Sequence, residues 1–302
     1  MTDTIQTVGI IGAGFMGSQI ASRAAIFGYR VKIYDSVPQA LESSPNTIAF
    51  FTDNYFQRDG VSGDPKETTK RITFHNSLED ALDGVDFIVE AVTENLEVKK
   101  AVFSQIDRIA KENALIATNS SSLPVSRIED AVARKDKVIN THFYSPIADL
   151  YFVDIVRGNR TSQKTLDKTV SWIKSIKCMP LVAKKECIGF VFNRVWHAAR
   201  RDALKAWAED YADFKDIDRA WRLFTGMLLG PFGIMDYIGL DVVYSVQNLY
   251  YEESGDPYLK PPQALKDMVD RGDLGMKTGK GFYTWPNPEC LSPDFLKVDN
   301  DV

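Results

Sequence analysis

Short apolar runs alternate with helix-like stretches through the first half of the chain. Val8–Ile11, Val31–Tyr34, Ile72–His75, Phe87–Glu90, Leu115–Thr118, Val138–His142, Tyr151–Val156 and Met179–Val182 each read as a strand. Between them lie helical patterns at Ala40–Phe56, Leu78–Leu82, Glu97–Lys111 and Lys164–Ile176. Such alternation predicts a mostly parallel sheet covered by helices on both faces. The pattern changes near Lys184. Beyond it the strand signals stop, and helical patterns follow at Phe190–Tyr211, Ile217–Phe224, Phe232–Ile238, Leu240–Glu253 and Pro262–Val269, punctuated by glycines. The expected architecture is therefore α/β then all-α, with domains at 1–184 and 185–302. Gln57–Thr69, with Gly60, Gly63, Pro65 and several charges, reads as a mobile connection after a protruding helix.

The first two strands bracket a specific signal. Val8–Ile11 leads into Gly12-Ala13-Gly14-Phe15-Met16-Gly17, a helix follows from Ser18 to Phe27, and the run Val31–Tyr34 ends on Asp35. Strand, glycine turn, helix, strand and acid in that order form a dinucleotide-binding, Rossmann-like pattern. Gly12 permits the tight turn, Gly14 lets the backbone approach a pyrophosphate, and Gly17 lets helix and strand pack closely. The helix N-terminus favours the anion. A carboxylate at Asp35 accepts from ribose hydroxyls and repels a ribose phosphate, which favours NAD over NADP.

Composition narrows the field. A chain of 302 residues accommodates two domains. Its net charge of -5 gives no reason to expect a nucleic-acid partner. The opening MTDTIQT has no signal-peptide pattern, and no apolar run is long enough for a membrane span, so a cytoplasmic protein is expected. Cys178, Cys187 and Cys290 have no metal-ligand spacing and read as reduced structural thiols; no metal site is expected.

In open α/β sheets the ligand lies at the carboxyl ends of the strands. The residues there are Glu94 after the fourth strand, Asn119, Ser121 and Ser122 after the fifth, and His142 at the end of the sixth. Of the three histidines, His142 alone ends a strand at this crevice. Imidazole held by a carboxylate suits a base that takes a proton while a hydride departs. Asp154, in the next strand, is the first candidate for that carboxylate and Asp149 the second.

These residues and several later blocks resemble the L-3-hydroxyacyl-CoA dehydrogenases over nearly the whole chain. The blocks are GAGFMG, Val89-Glu90-Ala91 with Glu94-Asn95-Leu96, Thr118-Asn119-Ser120-Ser121-Ser122-Leu123, His142-Phe143 with Pro146, Gly189-Phe190 with Asn193-Arg194, Gly230-Pro231-Phe232 with Asp236-Tyr237 and Gly239-Leu240-Asp241, and Lys277-Thr278-Gly279-Lys280-Gly281-Phe282-Tyr283. The resemblance implies NAD-dependent oxidation of a short (S)-3-hydroxyacyl-CoA, with His142 as general base. It implies that Ser121 and Asn193 hold the substrate. It also implies that Glu94, Lys99, Asn119, Ser145 and Lys277 join Gly12, Gly14, Phe15, Met16, Gly17 and Asp35 in contacting NAD. A homodimer through the helical domain is implied as well. For the CoA moiety, Arg58 and Lys66 are the nearby cations, while Phe50, Phe51, Tyr55 and Phe56 read first as core and second as an apolar wall for an acyl or pantetheine chain.

The chain departs from the family pattern at three positions. Asp154 stands where the family pairs its histidine with a glutamate, a reach shorter by about 1.3–1.5 Å. Ser145 replaces a usual asparagine, and Ile188 a usual proline. The rival readings are an NAD-dependent dehydrogenase of a free 3-hydroxy acid (gulonate- or carnitine-like) and a non-catalytic NAD(H)-binding protein.

Overall fold

A computed structural model describes residues 4–58, 62–187 and 189–297. Gly60 and Ile188 lie outside the described residues. Two compact units divide the chain, 1–192 and 193–302.

The first unit is built on an eight-stranded sheet. Its strands are β1 (Thr7–Ile11), β2 (Arg30–Tyr34), β3 (Ile72–His75), β4 (Phe87–Glu90), β5 (Leu115–Thr118), β6 (Val138–Phe143), β7 (Phe152–Arg157) and β8 (Met179–Val182). Their spatial order is β3-β2-β1-β4-β5-β6-β7-β8. Every pairing is parallel except β6 with β7. The order 3-2-1-4-5-6 over the first six strands is that of a dinucleotide-binding sheet. Between the strands lie α1 (Phe15–Ile26), α2 (Pro38–Phe56), α3 (Pro65–Thr69), α4 (Leu78–Leu82), α5 (Leu96–Ile109) and α6 (Gln163–Ser175). Alternate strand residues feed two apolar clusters: Phe87 and Val89 join one, Ile88 the other. The sheet is therefore covered on both faces, as its continuous apolar runs require.

Two sequence expectations need correction here. The stretch read as a mobile connection contains α3, because Asp64 caps it by accepting from Lys66 N at 2.8 Å and Pro65 stands at its first position. The aromatic residues of α2 are not all core. Its buried face is Leu41, Ser44, Ile48 and Thr52. Ser44 and Thr52 pair with Ser18 and Ser22 of α1, each at 2.8 Å, so small hydroxyl residues bring the two helices together. Phe50 is left 59% exposed on the other side.

The second unit holds most of α7 (Phe190–Ala208), then α8 (Phe214–Thr225), α9 (Pro231–Ile238), α10 (Leu240–Ser254) and α11 (Gln263–Asp270). Its core includes Leu204, Phe232, Met235, Leu240, Val243, Leu265 and Tyr283. Two fully buried carboxylates organise it. Asp218 accepts from the N–H groups of Phe232 and Gly233 at the start of α9, and from the Tyr283 hydroxyl. Asp236 accepts from Phe282 N, Tyr283 N and Trp285 Nε1 at 2.9, 2.8 and 3.1 Å. The Gly230-Pro231-Phe232, Asp236 and Gly281-Phe282-Tyr283 blocks are thus one structural assembly. Among the described residues, no helix is long and apolar enough to cross a membrane.

Replacing Asp236 with Ala leaves three donors without their acceptor. An unsatisfied buried donor costs about 1–3 kcal/mol. The expected loss is about 3 kcal/mol or more, seen as a fall in Tm on the order of 10 °C by calorimetry. An unchanged Tm would mean that Asp236 does not hold the loop.

Candidate active site

The glycine turn is shaped for close approach. Gly12 has φ +112, and a Cβ there would stand 2.5 Å from the Ala91 carbonyl oxygen. A Cβ at Gly17 would meet the Gly12 carbonyl oxygen at 1.9 Å, so α1 can lie this near β1 only with glycine at that position. A Cβ at Gly14 would meet nothing within 4 Å. Gly14 also begins α1 with no side-chain cap, which leaves the helix's first N–H groups for an anion. Asp35 accepts from Ala13 N at 2.7 Å and from Val37 N at 2.8 Å, which fixes its carboxylate at the end of β2. An open backbone at a helix N-terminus, with an acid at the neighbouring strand end, fits a dinucleotide with free ribose hydroxyls. Phe15, 60% exposed, and Met16 flank that opening.

Next to it, β4 and β5 end in a polar knot. Glu90 is fully buried and accepts from Lys99 Nζ, Thr118 Oγ1 and Val92 N, each at 2.7 Å. Lys99 is 1% exposed, and its ammonium also lies 3.3 Å from Glu94 Oε2. The resemblance implies a cofactor contact for Lys99, but here its charge is spent inside the protein. Glu94 Oε1 collects the hydroxyls of Ser120 and Ser122 at 2.5 and 2.8 Å, and the N–H groups of Ser121 and Ser122 at 3.1 and 3.0 Å. Burial pushes the Glu94 carboxyl up, but the serine hydrogen bonds and the Lys99 ammonium outweigh it and hold the group at about 2. Glu94 thereby folds the Ser120–Ser122 loop around itself. Ser121 is exposed, and its hydroxyl makes no hydrogen bond among the described residues. Asn119 Oδ1 accepts from Phe143 N at 2.9 Å, tying this loop to β6.

His142 is 7% exposed near the end of β6, directly opposite Asp154 of β7. Its Nδ1 lies 3.9 Å from Asp154 Oδ2, beyond hydrogen-bond reach. Asp154 is fully buried, and Oδ2 accepts instead from the Tyr144 hydroxyl at 2.6 Å. Among the described residues, neither His142 Nδ1 nor Asp154 Oδ1 has a hydrogen-bond partner. Asp149, the other carboxylate considered for His142, is paired with Arg58 at 2.5 Å. Arg58 also donates to the Ala148 carbonyl, so its guanidinium holds the β6–β7 connection rather than standing free for a ligand. Lys66 is exposed. Ser145 Oγ accepts from Gln19 Nε2 at 3.0 Å, while Gln19 Oε1 accepts from Ile147 N.

Residues 7–187 match the family description "3-hydroxyacyl-CoA dehydrogenase, NAD binding domain", and residues 189–285 match the C-terminal domain of the same enzymes. The chain belongs to the 3-hydroxyacyl-CoA dehydrogenase family. A 3-hydroxybutyryl-CoA dehydrogenase of Clostridioides difficile is 34% identical over 280 residues, covering 91% of this chain and 98% of that protein. The mitochondrial hydroxyacyl-coenzyme A dehydrogenase of Sus scrofa is 31% identical, covering 93% and 91%. The crystal structure of (S)-3-hydroxybutyryl-CoA dehydrogenase from Ralstonia eutropha has a TM-score of 0.86 at 33% identity, covering 94% of this chain and all of that one. As a family member the chain is an NAD-dependent oxidoreductase.

Asn193 and Lys277 belong to the second unit. Asn193 is half-buried on α7, and Lys277 binds both oxygens of Asp241, at 2.5 and 2.6 Å. His197, also on α7, is pushed down to about 3 by burial and by Arg200 and Arg201, so it is neutral near pH 7 and unable to act as a base there that cycles its charge. Sequence reasoning assigned no role to Glu90, Gln19 or Tyr144. A charged residue closing the buried run Phe87–Glu90 was the available signal for the first; nothing local marks the other two.

Glu94 gives a pH dependence. Its folded value of about 2 lies below the ordinary 4.5, so its contribution to stability is complete above the ordinary value and is lost as pH falls through the folded one. Denaturant midpoints across that window should fall more steeply for the wild type than for Glu94→Gln. Parallel curves would show that the serine cage does not favour the charged carboxylate.

Proposed function

We propose that the chain oxidises (S)-3-hydroxyacyl-CoA thioesters of short chain to 3-ketoacyl-CoA, with His142 as the group that moves the proton. The observation carrying this reading is the position of His142: buried near the end of β6, opposite Asp154. Its strand pairs with β5, from which the loop bearing the exposed Ser121 emerges.

NAD supplies the hydride acceptor when bound, held by the Gly12–Gly17 turn and by Asp35. His142 takes the hydroxyl proton at Nε2 during oxidation and returns it in the reverse direction. The Ser121 hydroxyl, unengaged among the described residues, hydrogen-bonds the reacting oxygen. The proposal assigns Asn119 and Ser145 to the cofactor, with Glu94 shaping the serine loop. In the proposal Asn193 and Lys277 keep the substrate and cofactor contacts that the family pattern implies. The exposed rings of Phe15 and Phe50, each packed edge-on against Phe51 at 5.4 and 5.2 Å, offer an apolar surface beside the glycine turn. A cytoplasmic homodimer, joined through the helical unit and working in β-oxidation, completes the reading.

His142→Gln should lower turnover about 100- to 10,000-fold, the usual span for a general base. Turnover is read as loss of NADH absorbance with acetoacetyl-CoA. Equal turnover in this variant would remove His142 from the chemistry. Wild-type turnover with acetoacetyl-CoA but not with free acetoacetate is the expected result. The opposite preference would move the protein to the free-acid class, and tight NADH binding without turnover on either would make it a non-catalytic binder.

A further inference from the structure

The shortened carboxylate at position 154 leaves a geometric problem that a neighbouring residue addresses. From Asp154 Oδ2 to His142 Nδ1 is 3.9 Å, roughly 1 Å longer than an ordinary hydrogen bond. That excess is about what the missing methylene would have spanned. Among the described residues His142 Nδ1 therefore has no hydrogen bond to fix the ring, and the fully buried Asp154 faces the interior.

Tyr144 touches both partners. Its hydroxyl donates to Asp154 Oδ2, the atom nearer His142, at 2.6 Å. Its ring stands edge-on to the imidazole, with centroids 4.4 Å apart and planes at 68°. The Phe190 ring lies 5.5 Å from the imidazole. Tyr144 is itself packed by Phe152 at 4.6 Å and Phe192 at 5.3 Å. A phenol in this position does two things. It gives the buried carboxylate a hydrogen bond and fixes Oδ2, the oxygen that faces His142. It also sets the plane of the imidazole by packing where a direct hydrogen bond is missing.

We propose that Tyr144 is the positioning residue of this site, so that His142, Asp154 and Tyr144 work as a three-member unit in place of a histidine–carboxylate pair. The proposal rests on the assignment of His142 as the base. Asp154 acts through its field across the 3.9 Å gap, which carries further in a dry interior than in water. The Tyr144 hydroxyl fixes the orientation of the carboxylate that makes this field, and its ring holds the imidazole at the angle at which Nε2 can meet substrate.

The test uses full-length wild type, Tyr144→Phe, Asp154→Asn, the double variant Y144F/D154N, and Y144F/D154E. Tyr144→Phe retains the ring and removes only the donor. It should lower kcat on the order of 10- to 100-fold, as a misplaced catalytic group does, with KM changed less than about 2-fold. Y144F/D154N should be no slower than Asp154→Asn alone, because the hydroxyl acts through the carboxylate. Y144F/D154E should regain turnover to within a few-fold of wild type, since the longer acid reaches Nδ1 directly. Nitrogen NMR of labelled histidine in the ligand-free protein gives a readout independent of substrate. The His142 ring-nitrogen shifts should show one fixed tautomer in wild type and an averaged or altered one in Tyr144→Phe. A wild-type kcat in Tyr144→Phe, losses that multiply in Y144F/D154N, or unchanged His142 shifts would each overturn the proposal. Absence of thioester turnover in the wild type would overturn the proposed function instead, and the histidine spectra would then decide the role of Tyr144 by themselves.

Discussion

The antiparallel pairing of β6 with β7 is the constraint on which the proposed chemistry of this chain rests. In a sheet otherwise built of parallel pairs, this one reversal sets His142 directly across from Asp154. A slip of one residue would send the histidine to the opposite face. Hydrophobic alternation cannot hold the register, because every residue of β6 is buried. Polar ties hold it instead. Asn119 accepts from Phe143 N, Asn140 Nδ2 donates to the Ser120 carbonyl, and Thr161 donates to the Val138 carbonyl. Arg58, clamping Ala148 and Asp149, fixes the connection between the two strands. Residues that look like ligand contacts in the sequence thus serve first to aim the strand that carries the histidine.

The same economy governs the carboxylates near the strand ends. Glu90 and Glu94 both lie near the cofactor turn, yet both are turned inward: one onto Lys99, Thr118 and Val92, the other onto three serines. A buried ammonium between two buried or half-buried carboxylates is tolerable only as a fully paired group. The result is a tied platform from which, among the described residues, the hydroxyl of Ser121 alone of the three serines is left without a partner. Preorganisation of this kind is how a site can place one hydroxyl and one imidazole without moving parts.

The sheet, the helical second half and the glycine turn were legible because each is written in local sequence: apolar period, strand length and glycine spacing. The need for glycine at Gly12 and Gly17 follows from what a Cβ would strike there, and the sequence pattern anticipates both, while a Cβ at Gly14 would meet nothing within 4 Å. Three features were not legible. The α1–α2 contact runs through Ser18, Ser22, Ser44 and Thr52, so a rule that equates core with apolar residues put Phe50 inside when it lies outside. The resemblance gave Lys99 to NAD, and Arg58 stood as a cation near the CoA moiety, because nothing in sequence reveals that Glu90 and Asp149 reach them from 9 and 91 positions away. The substitution at Asp154 was visible, but its compensation by Tyr144 depends on a hydrogen bond and a ring contact that only the folded strands create.

The central claim is that a substrate oxygen meets His142 at the carboxyl end of this sheet. A crystal structure of the protein with NAD and acetoacetyl-CoA measures it directly. The account predicts the ketone oxygen within hydrogen-bond distance of His142 Nε2 and the Ser121 hydroxyl, with the pyrophosphate on the N-terminus of α1 at Gly14. A ketone oxygen held away from both residues, or a pyrophosphate bound elsewhere, would contradict it.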